Sequence, residues 1–315
     1  MLDSLQTIQR EAPWIFTLVA GIFGATVGSF LNVCIYRVPA GLSVISPPSR
    51  CACGAPIPWY RNIPVLAWIF LRGRAPCCGK PFSIRYPLIE GLTGALFALC
   101  WHYLPWQTAV PGALFLSLLV VLAFIDLDTM LLPDSLNVSL ALLGLLCSAA
   151  FPSLHQESAH TPLANSLLAL LSGGIGMLLG AGLIYWLRLL ASLAMGREAM
   201  GEGDVILLGG IGAFCGWQGA LFALFGGAVL GTLVLVPLLI AQRLLRPKNN
   251  AGEKARQASL ASCEGDEFAE EWAAEGFGLA VPFGPWLALG GAVWFLGSRT
   301  AFAPLLDQLQ QMLGN

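Results

Sequence analysis

Residues 109–134 read AVPGALFLSLLVVLAFIDLDTMLLPD. An apolar run carrying no charge from 109 to 125 ends directly on three aspartates, Asp126, Asp128 and Asp134, within nine residues. A bilayer-spanning helix needs about 20 mostly apolar residues, so this run is slightly short for a span on its own. The rest of the chain supplies the context. Of its 315 residues 57% are hydrophobic and only 11% are Asp, Glu, Lys or Arg, against about a quarter charged in soluble domains. Two soluble domains cannot be covered with so little charge, which excludes an ordinary cytosolic enzyme. The fold class expected is all-α, a polytopic membrane protein.

Further apolar stretches lie near 14–36, 87–104, 136–152, 166–190, 205–216, 218–242 and 279–297. With 109–125 they give about eight transmembrane helices. The long stretch 205–242 is divided at Gly216-Trp217-Gln218-Gly219, a turn-like cluster. Glycines such as Gly173, Gly176 and Gly180 suit close helix packing in lipid. The first span, at about 23 residues, exceeds the apolar core of a secretory signal and is read as retained. Cys100, Cys147 and Cys215 fall inside apolar runs and are read as small buried hydrophobes.

Basic residues orient the spans, because short loops rich in Lys and Arg stay on the cytoplasmic side. The segment from Arg37 to Ile89 holds Arg37, Arg50, Arg61, Arg72, Arg74, Lys80 and Arg85, seven of the chain's 16 cations, and no acid. With that loop inside, 126–135, 191–204 and 243–278 also lie inside. The division is a first transmembrane helix at 14–36, a basic cysteine-containing cytoplasmic domain at 37–86 with Trp59, Tyr60 and Trp68, and a seven-helix core at 87–315. That core carries a cytoplasmic insert at 243–278, basic then acidic, with the composition of a linker. The partner expected from this pattern is membrane lipid, and a net charge of −2 gives no reason to expect nucleic acid.

Ionisable groups at membrane depth are functional candidates by default. Two places qualify: Asp126, Asp128 and Asp134 after the span at 109–125, and Asp204 in Met200-Gly201-Glu202-Gly203-Asp204 before the span at 205–216. Asp126 and Asp204 fall at the same cytoplasmic depth. Two carboxylates in hydrogen-bonding range share a proton, and such a pair performs aspartic-peptidase chemistry, one partner taking a proton from water while the other polarises the carbonyl. Gly201 and Gly203 leave room for a substrate backbone. Helix capping is the alternative for Asp128, Asp134 and Asp204, and spacing alone lets Asp128 compete with Asp126.

These residues resemble the two signature motifs of type IV prepilin peptidases, membrane aspartic peptidases of the G-x-G-D class. Gly28-Ser29-Phe30-Leu31-Asn32-Val33 with Tyr36-Arg37 resembles the family's first-helix signature. Ile63-Pro64 with Trp68, Leu71-Arg72-Gly73-Arg74, and Arg85-Tyr86-Pro87 with Glu90 are similar to its cytoplasmic domain, and Pro282-Phe283-Gly284-Pro285 to the opening of its last span. The resemblance implies an inner-membrane enzyme that cuts the leader from prepilins or pseudopilins at the cytoplasmic face. It also implies N-methylation of the new terminus with S-adenosylmethionine. By position it makes Asp126 and Asp204 the catalytic pair, because the first motif's aspartate stands eight residues before the Asp of Leu132-Pro133-Asp134, which takes the support role with Gly201 and Gly203. No glycine-rich fingerprint for S-adenosylmethionine is visible.

Cys51, Cys53, Cys77 and Cys78 form two close pairs, and four thiolates can close a tetrahedral zinc site. The resembling family carries C-x-x-C twice. Here Ala75 stands at the third cysteine's place and Cys77 adjoins Cys78, so adjacent cysteines reach one ion only through a strained backbone. A four-sulfur zinc site, a three-sulfur site with another ligand and a metal-free module all remain open. Ile206 replaces a lysine common in the family. The alternatives in activity are a presenilin-like intramembrane aspartic peptidase, which would not explain a cysteine-rich loop, and a proton-coupled transporter, which would need a second relay site.

Overall fold

The computed structural model of the chain describes residues 12–48, 51, 53–58, 63–155, 160–196, 200–245 and 282–301. Its helices are α1 (Pro13–Arg37), the short α2 (Leu66–Phe70), α3 (Arg85–Tyr103), α4 (Trp106–Thr129), α5 (Asp134–Ala150), α6 (Pro162–Met195), α7 (Glu202–Leu245) and α8 (Gly284–Gly297), with a 3-10 turn at Pro152–Leu154 between α5 and α6. Among the described residues there is no strand beyond isolated bridges such as Arg74 with Pro81. Each apolar stretch read from the sequence falls on one of these helices, with 279–281 of the last stretch outside the described residues. Four of them are long and apolar enough to cross a membrane, over Trp14–Arg37, Trp106–Thr129, Pro162–Met195 and Glu202–Ala241, while Asp134–Ala150 and Gly284–Gly297 are apolar but shorter.

The helix α7 is two arms rather than one rod. At Gly216 the backbone takes φ 70°, ψ −178°, a region open essentially to glycine alone. The break falls at the turn-like cluster expected from the sequence. At 34 residues α6 runs well past its expected span, about 51 Å at 1.5 Å per residue, more than the ~30 Å hydrocarbon core.

Burial identifies the centre of the bundle. In α4, 67% of the most apolar stretch is buried, against 22–28% in the other three candidate spans, which leave more of their side chains at the surface of the bundle. Phe115 of α4 meets Phe214 of α7 and Phe295 of α8, with ring centroids 4.7 Å and 5.4 Å away. A second cluster joins Leu31 and Ile35 of α1, Ile89 of α3, and Val120, Val121 and Ile125 near the end of α4. The end of α4 is thereby wedged between two packed groups.

Because lipid tails are as apolar as leucine, helices associate in a bilayer through close packing. The tightest crossing pairs α6 with α7, where a side chain on Gly176 would strike the Gly212 carbonyl and one on Gly212 would strike Gly176. Around the crossing, α7 also packs against α5 and α8, so its first turn has a fixed place in the bundle.

Between α1 and α3 the chain forms a small unit. Trp68 lies against Gly73, and its Nε1 donates to the Phe82 carbonyl at 3.3 Å. The backbone N–H of Val65 donates to the buried Glu90 carboxylate at 2.7 Å, tying this unit to α3. Trp59 and Tyr60 lie outside the described residues, as does the 243–278 insert from 246 onward. The packing analysis predicts that Gly212→Val, which forces a branched side chain into the α6–α7 crossing, destabilises the bundle by about 1–3 kcal/mol or more. A fall in melting temperature measured in detergent checks this, while the same change at Gly182, which faces open space, leaves it near the wild-type value.

Candidate active site and cysteine cluster

Asp126 lies in the last turn of α4, which ends when Met130 adopts the left-handed conformation and its N–H bonds the Asp126 carbonyl at 2.9 Å. Asp204 is the third residue of α7, inside its first turn rather than at the N-cap. Both side chains are buried, 5% and 7% exposed, and the two carboxylates are close enough to interact electrostatically. A negative group in the first turn of a helix is favoured by the helix dipole, which suits Asp204.

The neighbours explain how two acids come to one place. Leu132, in the link from α4 to α5, fills the gap left by Gly203: a Cβ there would lie 2.6 Å from that of Leu132. The same leucine reaches Gly284 at the start of α8, where an added Cβ would sit 3.5 Å from Leu132 Cδ1 and 2.5 Å from Asp126 Oδ2. Only hydrogen fits between α8 and the Asp126 carboxylate. The N-terminus of α8 therefore faces Asp126 with backbone alone. Among the described residues Asp126 Oδ2 is buried with no hydrogen-bond partner.

The other expected site residues take different places. Asp128, spaced to compete with Asp126, turns to the opposite face of α4 and pairs with Arg85 at 2.6 Å. Asp134 is exposed in the first turn of α5, as a helix-start acid. Gly201 leaves open space beside Asp204, a Cβ there meeting Asp204 Oδ2 at 4.0 Å, whereas Gly203 is closed by Leu132. Glu202 accepts from both Arg188 Nη1 and Nη2, at 3.0 and 3.1 Å. Ile206 lies part-buried two residues past Asp204.

Two contributors carried no role in the sequence reading. Asn137, fully buried on α5, donates from Nδ2 to the Gly203 carbonyl at 3.1 Å and so ties the G-x-G-D turn to the helix that follows Leu-Pro-Asp. Gly284 stood out only as part of Pro282-Phe283-Gly284-Pro285. Its contact with Asp126 depends on how α8 registers against α4, for which the sequence holds no signal beyond a glycine flanked by prolines.

The four cysteines do converge: their sulfurs all lie within 4.8 Å of one another, with Cys51 to Cys78 at 3.6 Å and Cys53 to Cys77 at 3.4 Å. A tetrahedral zinc with bonds of about 2.3 Å separates its sulfurs by about 3.8 Å, so the set fits one ion. The expected backbone strain is absent from the described cysteines. Gly54 and Gly79, at φ 86° and 69°, take the left-handed positions instead, closing one turn from Cys51 to Ala55 and another from Ala75 to Lys80. The Cys53 backbone, then the neighbouring thiols, pull Cys51 down to about 7, and hydrogen bonding to Cys51 and Cys53 pushes Cys77 up to about 12. One thiol ready to ionise near neutral pH suits cation binding, which needs thiolates.

With this geometry in place, comparison with known proteins gives the family. Residues 22–104 match the Bacterial Peptidase A24 N-terminal domain, and residues 113–236 match the Type IV leader peptidase family. A prepilin leader peptidase/N-methyltransferase of Myxococcus xanthus (strain DK1622) is 37% identical over 95% of this chain and 96% of its own length. The chain belongs to the type IV leader peptidase family. Proteins of the same name from Klebsiella pneumoniae and Pectobacterium carotovorum subsp. carotovorum are 39% and 34% identical, over 68% and 92% of this chain and 91% and 96% of theirs. No solved structure matches. The buried, unpartnered oxygen of Asp126 beside a second acid leads to a prediction about stability. Asp126→Asn removes a buried acid and its unfavourable interaction with Asp204, and raises stability by about 0.5–2 kcal/mol, as replacements at strained functional sites do. Thermal unfolding of the purified protein checks it, a lower melting temperature counting against the account.

Proposed function

We infer that this protein is a prepilin leader peptidase and N-methyltransferase, a membrane enzyme that removes the leader from type IV prepilins or pseudopilins and methylates the N-terminus so exposed. What supports the reading is that Asp126 and Asp204 are both buried and close enough to interact, in a chain of this family. A presenilin-like peptidase is disfavoured by the cysteine cluster and by relatives whose names specify prepilin leaders. Transport is disfavoured because Asp126 and Asp204 stand in one place rather than spaced along a path.

In the proposed mechanism Asp126 and Asp204 hold a water molecule and one shared proton. The ionised carboxylate takes a proton from the water, whose oxygen attacks the scissile carbonyl carbon, while the protonated partner hydrogen-bonds the carbonyl oxygen. The tetrahedral intermediate collapses with C–N cleavage, and the amine leaves with a proton from the dyad. The open space at Gly201 admits the substrate backbone, Gly284 keeps the last turn of α4 in contact with α8, and Asn137 fixes the turn that carries Asp204. Asp134 supports the start of α5.

S-adenosylmethionine supplies the methyl group for the new amine in the second activity, and no residue of this chain is assigned to it. Cys51, Cys53, Cys77 and Cys78 would hold one zinc ion in a structural role, closing the two turns of the loop unit. The topology that accommodates both is eight crossings in the bacterial inner membrane. It has a first transmembrane helix at 14–36, the cysteine domain at 37–86 in the cytoplasm, a core at 87–315 with its insert at 243–278, and the active site at the cytoplasmic face. Seven cations in one acid-free loop support that orientation.

Purified protein incubated with a prepilin bearing its leader, followed by mass spectrometry of the product's N-terminus, tests the reading. Cleavage at a single bond is expected, falling by about 10³-fold or more in Asp126→Asn and in Asp204→Asn; full cleavage by either folded variant overturns the dyad. A further methyl on the product, present only with S-adenosylmethionine, is expected for the second activity. One equivalent of zinc in the wild type, lost in Cys51→Ser and in Cys78→Ser, is the expected metal analysis.

A further inference from the structure

Arg85 opens α3 and reaches across to the last turn of α4 with three contacts. Its Nη1 meets Asp128 Oδ1 at 2.6 Å, its Nη2 donates to the Phe124 carbonyl at 3.2 Å, and its guanidinium lies 5.0 Å from the centre of the Phe124 ring. Phe124 and Asp128 stand two residues either side of Asp126. Residues four apart share one face of a helix, and a residue midway between them, 200° around at 100° per residue, faces the opposite way. Arg85 thus grips the back of the helical turn whose front carries Asp126.

The grip is placed where the helix is weakest. The last four carbonyls of a helix lack intrahelical partners, and helix ends fray; here α4 stops at Met130, four residues past Asp126. On the front, the contact shown for Asp126 is with the Gly284 backbone, so among the described residues no side chain is shown there to orient the carboxylate. The pair Arg85–Asp128 is about a third exposed on each side, 34% and 38%. Exposed ion pairs add little stability, but a planar fork that binds a carboxylate and a carbonyl together fixes orientation, which a lysine's point charge does not.

We propose that Arg85, through its joint hold on Asp128 and the Phe124 carbonyl, is a positioning residue that sets the aim of the Asp126 carboxylate. Arg85 directly follows the loop unit that carries the cysteines, so one side chain links the end of that unit to the turn that carries Asp126. The proposal rests on the leader-peptidase reading.

Steady-state cleavage of a purified prepilin by full-length protein tests it, with Arg85→Lys, Arg85→Gln, Asp128→Asn and the double variant Arg85→Gln/Asp128→Asn. Misplacing a catalytic group by an ångström or less costs rate rather than affinity. Each single variant is therefore expected to lose about tenfold in kcat with KM within about twofold of wild type. Melting temperature and zinc content stay near wild type, and the double variant is no slower than the worse single one. Unchanged kcat in both Arg85→Gln and Asp128→Asn overturns the proposal, as does a rise in KM at constant kcat, which would place the two charges on the substrate. So does a double variant whose losses multiply. If Arg85→Gln fails to fold, Asp128→Asn, at an exposed side chain, decides alone. A wild-type protein that leaves prepilin uncut fails the leader-peptidase reading itself, an outcome distinct from variants that cut as well as wild type.

Discussion

Two carboxylates held out of water within reach of each other set the terms for the rest of this fold. Each is costly to bury as an anion and costlier beside the other, so neither helix would bring its acid inward without packing that leaves no alternative. That packing is present on every side. Leu132 fills the gap at Gly203 and touches Gly284, α8 meets Asp126 with backbone alone, and Asn137 pins the turn before Asp204. The cost of burial is balanced by contacts made elsewhere in the bundle, chiefly the glycine crossing of α6 with α7 and the aromatic cluster around Phe115.

The same constraint accounts for the division of labour along α4. Its middle is the most buried of the four candidate spans. Its last turn carries two acids two residues apart with opposite fates: Asp126 is buried beside Asp204 and Asp128 turns outward to Arg85. Among the described residues two further acids at this end of the bundle are ion-paired, Asp128 with Arg85 and Glu202 with Arg188.

Much of this was legible beforehand. Apolar length located the helices, and Gly216 betrayed the break in α7 because the φ, ψ pair there is closed to other residues. Acids abutting apolar runs marked both halves of the site. What one dimension hid was direction. Spacing alone permitted Asp126 or Asp128 to face inward, since the answer depends on Arg85, 41 positions before Asp126 in the chain. Gly284 and Asn137 were unreadable for the same reason: each acts across a helix-to-helix register. The cysteine spacing, read as requiring strain, forms compact turns because Gly54 and Gly79, rather than the cysteines, adopt left-handed backbone.

The central claim, that Asp126 and Asp204 act together on one scissile carbonyl, is tested most directly by binding of a prepilin-derived peptide in which a hydroxyethylene unit replaces that bond. Such a group mimics the tetrahedral intermediate and is gripped only by a working dyad, so transition-state complementarity predicts binding at least ~10²-fold tighter than the corresponding uncut peptide. The account predicts that this advantage disappears in both Asp126→Asn and Asp204→Asn while binding of the ordinary peptide is retained. An undiminished advantage in either variant would contradict it.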